Sequence, residues 1–303
     1  MDSNEKIKDE ETIEIRIEGA KFKQFDIIEE ASSFSDHHYY NRPPKNYSDQ
    51  LRNKISEEWD ILKERLPNSI LVRANRERPD LLRAVIIGSQ GSTYHDGLFF
   101  FDIQFPSKYP NIPPKIHYCC FDVISMNRHI AYAISLEALP RKNIPLSSST
   151  STVLGLLLLY HRILDHTANT REPAAFFDEQ IYKSNWKTMV SVLNKPPKCF
   201  EEYVAQHFHD RAEAILTTCK AYISWRVDAV DLSVPSQETF AELESIYYKL
   251  VIAFEKNGSS LENLYKLRID FNGKPACSMR TSIAFGITTC LIIINIVLLL
   301  YYG

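Results

Sequence analysis

From Ser48 onward the apolar positions fall at helical spacing. Ile55, Trp59, Leu62 and Leu66 share one stripe, Ser48 can cap the first turn, and Pro67 closes the segment. The pattern then changes. Four runs rich in branched and aromatic residues, SILVRA, LLRAVIIGS, GLFFFDIQFP and KIHYCC, predict strands, and the short connections RERPD and QGSTYHDG suit antiparallel hairpins. A proline-rich YPNIPP separates the last two runs. After the cap-rich SSSTST, a helix is predicted from near Thr152 through VLGLLLLYHRILDH. Its apolar run is too short to span a bilayer and too continuous for a surface helix, so it is expected at the centre of the domain. Two more helical stretches fall between Trp186 and Tyr222, separated by KPPKCF. A last amphipathic one, Ser236 to Phe254, puts Phe240, Leu243, Tyr247, Leu250 and Phe254 on one face. The order is an N-terminal helix, a four-stranded antiparallel meander and C-terminal helices, an α+β fold.

The ends of the chain differ from this body. Residues 1–46 are highly charged apart from a short alternating run, ETIEIRIEG, and are expected to be largely flexible; they carry no apolar signal-peptide core. His37 and His38 lack partners at metal-ligand spacing and are expected to form a surface pair. The main domain of the pattern occupies residues 47–225, an additional helical segment 226–257, and a polar linker 258–280. Residues 281–303, TSIAFGITTCLIIINIVLLLYYG, carry no charge. A bilayer core needs roughly 20 such residues at 1.5 Å each, so residues 282–302 are expected to form one transmembrane helix, a tail anchor. Tyr301 and Tyr302 suit the far interface, while Lys274 and Arg280 stay on the near side, which places the folded domain in the cytosol. The absence of basic residues after the segment favours the endoplasmic reticulum or another endomembrane over the outer mitochondrial membrane.

Composition narrows the function without naming it. A net charge of -3 gives no general attraction to nucleic acid, so no nucleic-acid partner is expected. The six cysteines show no CxxC spacing and are read as reduced thiols. Cys119 and Cys120 are adjacent in a strand and point to opposite faces, which argues against joint metal ligation. No cofactor or metal is expected.

The stretch GSTYHDGLFFFDIQFPSKYPNIPPKIHY, from Gly91 to Tyr118, resembles the large ubiquitin-conjugating enzymes, the group with plant phosphate-homeostasis members. The likeness extends through ERPDLLRA upstream, KTMVSVLNKPPKCFEEYVAQHFHDRAEAIL downstream and SDHHYY near the N-terminus, covering roughly residues 25–225. Such enzymes carry ubiquitin as a thioester on a cysteine, and a nearby asparagine stabilises the oxyanion that forms during attack. The resemblance implies a ubiquitin-conjugating fold. It also exposes a gap. The nucleophile of active relatives opens a Cys-Leu-Ser-Leu run, and the match here is Ala133-Ile134-Ser135-Leu136. The relatives' Asn-Pro-Asn motif maps onto Asn127-Arg128-His129, so histidine stands at the oxyanion-donor position and the proline is gone. The stretch between motif and nucleophile is shortened, the tryptophans expected downstream are missing, and the loop around Glu172 to Tyr182 is cut back.

Loss of nucleophile, donor and flanking loop together implies that thioester chemistry is absent, since a methyl group accepts no acyl chain. The expected function is a catalytically inactive, membrane-tethered variant that binds ubiquitin or an active conjugating enzyme or ligase. The alternative is an active conjugating transferase using an unrecognised cysteine, such as Cys119 or Cys120. An oxyester on Ser135 or on one of Ser147 to Ser149 would need an adjacent base, and the cap-rich serines before the helix have a structural explanation. Candidate docking surfaces are the first helix from Arg52 to Arg65, the loop Asn111, Ile112, Pro113 and Pro114, and the exposed face of the meander.

Overall fold

The structure is a computed structural model and describes residues 14–17, 20–42, 47–119, 152–166, 175–228 and 237–261. The chain begins with a small hairpin, β1 (Glu14–Ile17) and β2 (Ala20–Lys23), then β3 (Phe25–Ile28) and a short 3-10 turn, Ala31–Phe34. Helix α1 (Asp49–Arg65) follows, capped by the Ser48 hydroxyl accepting from Leu51 N. Strands β4 (Ile70–Asn75), β5 (Leu81–Ile87), β6 (Leu98–Gln104) and β7 (Lys115–Tyr118) form the expected meander. The remaining helices are α2 (Val153–His166), α3 (Ala175–Asn194), α4 (Glu201–Asp228) and α5 (Gln237–Lys256). No helix among the described residues is long and apolar enough to cross a membrane, and the expected anchor at residues 281–303 lies outside them.

The sheet has five strands rather than four, in the order β3-β4-β5-β6-β7. The extra strand β3 runs parallel to β4, with Phe25 opposite Val72 and Ile28 opposite Asn75, because α1 carries the chain back between them. The other pairings are antiparallel.

Both faces of the sheet are covered. Alternate residues such as Val72, Ala84 and Phe101 face α1 and α2, meeting Leu51, Ile55, Leu157 and Tyr160. The intervening set, Leu71, Val85, Leu98 and Phe100, faces α3, α4 and α5 through Trp186, Phe208, Leu216 and Leu250. Strands covered on both sides need continuous apolar runs, which is why β4 to β6 are buried at every position but Ile87. Strands β4 to β6 therefore present no exposed face for docking, which corrects that expectation for them and leaves only the edge strand β7, with Lys115 exposed, open to solvent.

The N-terminal segment also departs from its expected flexibility. Phe25, Phe34, His37 and Tyr39 are buried, so residues 24–42 form a strap across the rear of the sheet. Underneath it, Arg83 on β5 stands directly opposite Asp102 on β6 and grips it with two bonds, Nε to Oδ1 at 2.6 Å and Nη2 to Oδ2 at 3.0 Å. Burial alone would raise the Asp102 pKa, but the guanidinium overrides it and holds the carboxylate below its usual range. The strap joins this pair: Asp36 accepts from Arg83 Nη1 at 2.8 Å, and His38 N donates to Asp102 Oδ2 at 2.7 Å.

His37 is thus an interior residue rather than half of a surface pair. Its Nε2 lies 3.0 Å from Leu82 O and its Nδ1 accepts from Tyr39 N at 3.2 Å, which fixes a neutral ring protonated at Nε2. His38 remains exposed and stacks on His117, with ring centroids 3.7 Å apart. Burial lowers the His37 pKa from 6.5 to about 4, only partly opposed by the Asp102 charge. An unfolded chain takes up a proton near pH 6.5 that the folded chain resists until about 4, so stability should fall as pH drops through that window. The expected loss is about 3 kcal/mol from this residue. His117 and His207 are also lowered by burial and act in the same sense. Urea unfolding between pH 7 and 4.5 should show the slope, and His37→Gln should flatten it; an unchanged slope would refute the assignment.

Candidate docking site

Positions 127–129 and Ala133, onto which the resemblance maps the family's catalytic motif, lie outside the described residues. The structure does describe both borders of that stretch. On one side β7 runs into Cys119, whose N–H donates to Phe100 O at 2.9 Å. On the other, α2 starts at Val153 with Thr152 Oγ1 accepting from Gly155 N at 3.1 Å, the cap that the serine- and threonine-rich sequence predicts.

One carboxylate ties the borders to the docking candidates. Glu58 belongs to the buried side of α1, accepts the Tyr109 hydroxyl at 2.5 Å, and accepts Val153 N at 3.0 Å. It therefore satisfies one of the unpaired N–H groups at the start of α2 while fixing the 105–114 loop against the middle of α1. Burial raises the Glu58 pKa, and the two donors partly offset this. The loop is braced internally by Tyr109 N to Pro106 O at 2.9 Å, Ile112 N to Lys108 O at 3.1 Å, and the Phe105 ring 5.0 Å from Tyr109. Removing the hydroxyl with Tyr109→Phe leaves a buried carboxylate short of a donor, at an expected cost of about 1–3 kcal/mol. Thermal unfolding would measure it; a cost near zero would mean that Glu58 does not depend on this bond.

The docking residues are only partly brought together. Arg52 is exposed with its guanidinium 5.5 Å from the Tyr47 ring centre, and Arg65 is exposed at the last turn, where a cation complements the helix dipole. Thirteen residues separate them, roughly 20 Å along the axis, so they do not form one patch. In the loop, Ile112 is 43% exposed and Asn111 is exposed beside it. Pro113 is half-buried. Pro114 is buried, so it shapes the loop instead of offering contact surface, a correction to its expected role. The usable surface is Asn111 and Ile112 together with the outer side of α1.

The described thiols are poorly suited to nucleophilic attack. Cys119 lies at the rear of the sheet, where burial, followed by the Asp102 charge, pushes its thiol well above the ordinary value. Burial pushes Cys199 up to about 12 and also raises Cys219 well above its ordinary value. All three are held protonated at neutral pH, and the thiolate is the reactive form. Cys120, Cys277 and Cys290 lie outside the described residues.

Sequence reasoning missed Glu58, Tyr109 and the Arg83–Asp102 pair. A signal existed for the first: Glu58 sits three residues after Ile55 and four before Leu62, inside the apolar stripe of α1. A carboxylate there needs buried partners. Nothing local marks Arg83 and Asp102 as partners, since their meeting depends on β5–β6 register.

Comparison with known proteins places this geometry. The model of the ubiquitin-conjugating enzyme family matches residues 54–196. A putative ubiquitin-conjugating enzyme, E2 38, of Arabidopsis thaliana is 38% identical over 223 residues, covering 66% of this chain and 68% of that protein. A probable ubiquitin-conjugating enzyme, E2 26, of the same plant is 37% identical over 226 residues, but there the chain spans 40% of the relative's length. A human dual ubiquitin-conjugating enzyme and ubiquitin-protein ligase is 23% identical over 240 residues, 5% of its length. The family match begins inside α1 and ends just after α3, so the strap, α4 and α5 lie beyond it.

Proposed function

Since the chain belongs to the ubiquitin-conjugating enzyme family, we propose that it serves the ubiquitin pathway as a catalytically inactive member that binds rather than transfers. What carries this reading is the resemblance of Ala133-Ile134-Ser135-Leu136 to the family's Cys-Leu-Ser-Leu run, which sets Ala133 at the nucleophile position and His129 at the oxyanion-donor position. The state of the described thiols supports it, because Cys119, Cys199 and Cys219 are each held protonated. Partners in this reading are ubiquitin, an active conjugating enzyme or a ligase, engaged by α1 and by Asn111 and Ile112. The uncharged residues 282–302 would tether the domain at the endoplasmic reticulum or another endomembrane, raising the local concentration of weak partners.

The full chain in detergent, incubated with ubiquitin, an activating enzyme and ATP, should give no reductant-sensitive ubiquitin adduct, while an active relative charges alongside. An adduct that reductant removes would overturn the reading and establish a transferase with another cysteine. Resistance to alkaline carbonate extraction from membranes tests the tether separately; release into the supernatant would refute it.

A further inference from the structure

The strap is bonded to the body as a bound peptide would be. Its strand extends the sheet, with Val72 N donating to Gln24 O at 2.7 Å and Arg76 N to Ile28 O at 3.0 Å. Phe34 then fills an apolar pocket beside Leu81, lined further by Tyr39 and Cys199. Two residues on, Asp36 accepts from one guanidinium and one backbone amide, Arg83 Nη1 at 2.8 Å and Lys198 N at 3.2 Å, while the Lys198 ammonium donates to Ser35 Oγ at 2.7 Å. At the far end, Arg78 Nη1 and Gln104 Nε2 each donate at 2.7 Å to the carbonyls of Tyr40 and Arg42.

The way in which the sheet satisfies its own polar groups distinguishes this groove from ordinary interior. Arg83 holds Asp102 through two bonds that need nothing from the strap. Arg78 likewise grips Asp80 at 2.8 and 2.9 Å, and Gln104 Nε2 reaches the same carboxylate at 3.1 Å. Lifting the strap would leave Arg83 and Arg78 in self-paired ion pairs and an open strand edge on β4, while the buried Arg73, whose carboxylate neighbour Asp26 belongs to the strap, would keep its bond to Val72 O at 3.1 Å and its place over the Phe200 ring. An open edge flanked by a side-chain pocket is the arrangement by which sheets accept extended peptides.

We infer that this rear-face groove is an exchangeable peptide-docking site, closed in cis by residues 24–42. Its partner is a protein presenting an extended segment of the same pattern: a short strand, an aromatic residue for the Leu81 pocket, and an acidic residue two positions later for Arg83 and Lys198. The site does not depend on whether the chain carries ubiquitin. A short tether gives the chain's own strap an effective concentration in the millimolar range, so a partner engages only when it competes with the strap or the strap is loosened.

The test uses a fluorescein-labelled peptide of residues 24–42 as probe, titrated against the full chain in detergent and against the full chain carrying Phe34→Ala and Asp36→Ala. The loosened strap should let the probe bind at least tenfold more tightly than it binds the unaltered chain. A probe peptide bearing the same two substitutions should bind the loosened chain at least tenfold more weakly, an effect that protein folding cannot produce. Equal binding by both peptides, equal binding to both chains, or no binding to a folded loosened chain would overturn the inference. So would loss of cooperative unfolding in the substituted chain, because the strap would then be part of the interior and not a ligand.

Discussion

Asp102→Ala should destabilise the protein by about 3–5 kcal/mol, the usual cost of leaving one partner of a buried ion pair alone. Arg83 has a side chain only 2% exposed and would lose both of its bonds to the carboxylate, retaining Asp36 as its remaining acidic partner. His38 N would lose its acceptor as well, so the strap loosens along with the sheet. The double substitution Arg83→Met with Asp102→Leu removes both charges and should recover most of the loss, since well-packed apolar side chains of similar volume need no compensating charge. Urea unfolding of the two single variants and the double would decide the matter. A single-variant cost below about 1 kcal/mol, or a double variant worse than either single, would mean that the pair is not the keystone of the rear face.

Gly88→Ala is expected to cost about 3 kcal/mol or more, because the new methyl has nowhere to go. Its carbon would stand 1.8 Å from the carbonyl oxygen of Tyr94, a backbone atom that cannot swing aside like a side chain. The loop from Gly88 to Gly97 is closed on itself by Gly88 N to Gly97 O at 2.8 Å and Asp96 N to Gly88 O at 3.2 Å. It is also clamped from outside. Asn185 on α3 donates to the Thr93 and His95 carbonyls at 3.3 Å each, and Arg211 on α4 holds the Asp96 carboxylate with bonds of 3.0 and 3.1 Å. Gly91, three residues away, meets nothing within 4 Å but has φ +81, so Gly91→Ala should cost only the left-handed backbone penalty of about 1–2 kcal/mol. Thermal unfolding of both variants would test the contrast; equal costs would show that the loop yields and that the close approach to Tyr94 is not a constraint.

Much of the architecture was legible because it rests on local physics. The α1 stripe, the Ser48 cap, the four meander strands and the placing of Leu243, Leu250 and Phe254 on the inward face of α5 follow from spacing and capping alone, and the structure repeats them. The family likeness was legible in the Gly91 to Tyr118 string, and the proposal that Ala133 stands at the nucleophile position rests on that likeness. The continuous apolar runs of β4 to β6 also carried a message that the hairpin reading set aside: strands without alternation are covered on both faces.

Tertiary structure decided the rest, wherever the partner of a group lies far along the chain. His37 reads locally as a surface residue, yet it is buried against Leu82, 45 residues away. Pro114 reads as part of a docking loop and is buried, and the charged N-terminal stretch becomes a strap because Arg83 and Asp102 await it across β5 and β6. Periodicity reports how much of a segment is buried and on which face. The identity of what covers that face is set by strand register and chain crossover, which no local window contains, and so the sequence alone specified the elements and the family likeness while the assembled sheet specified where charges meet and which surfaces stay open.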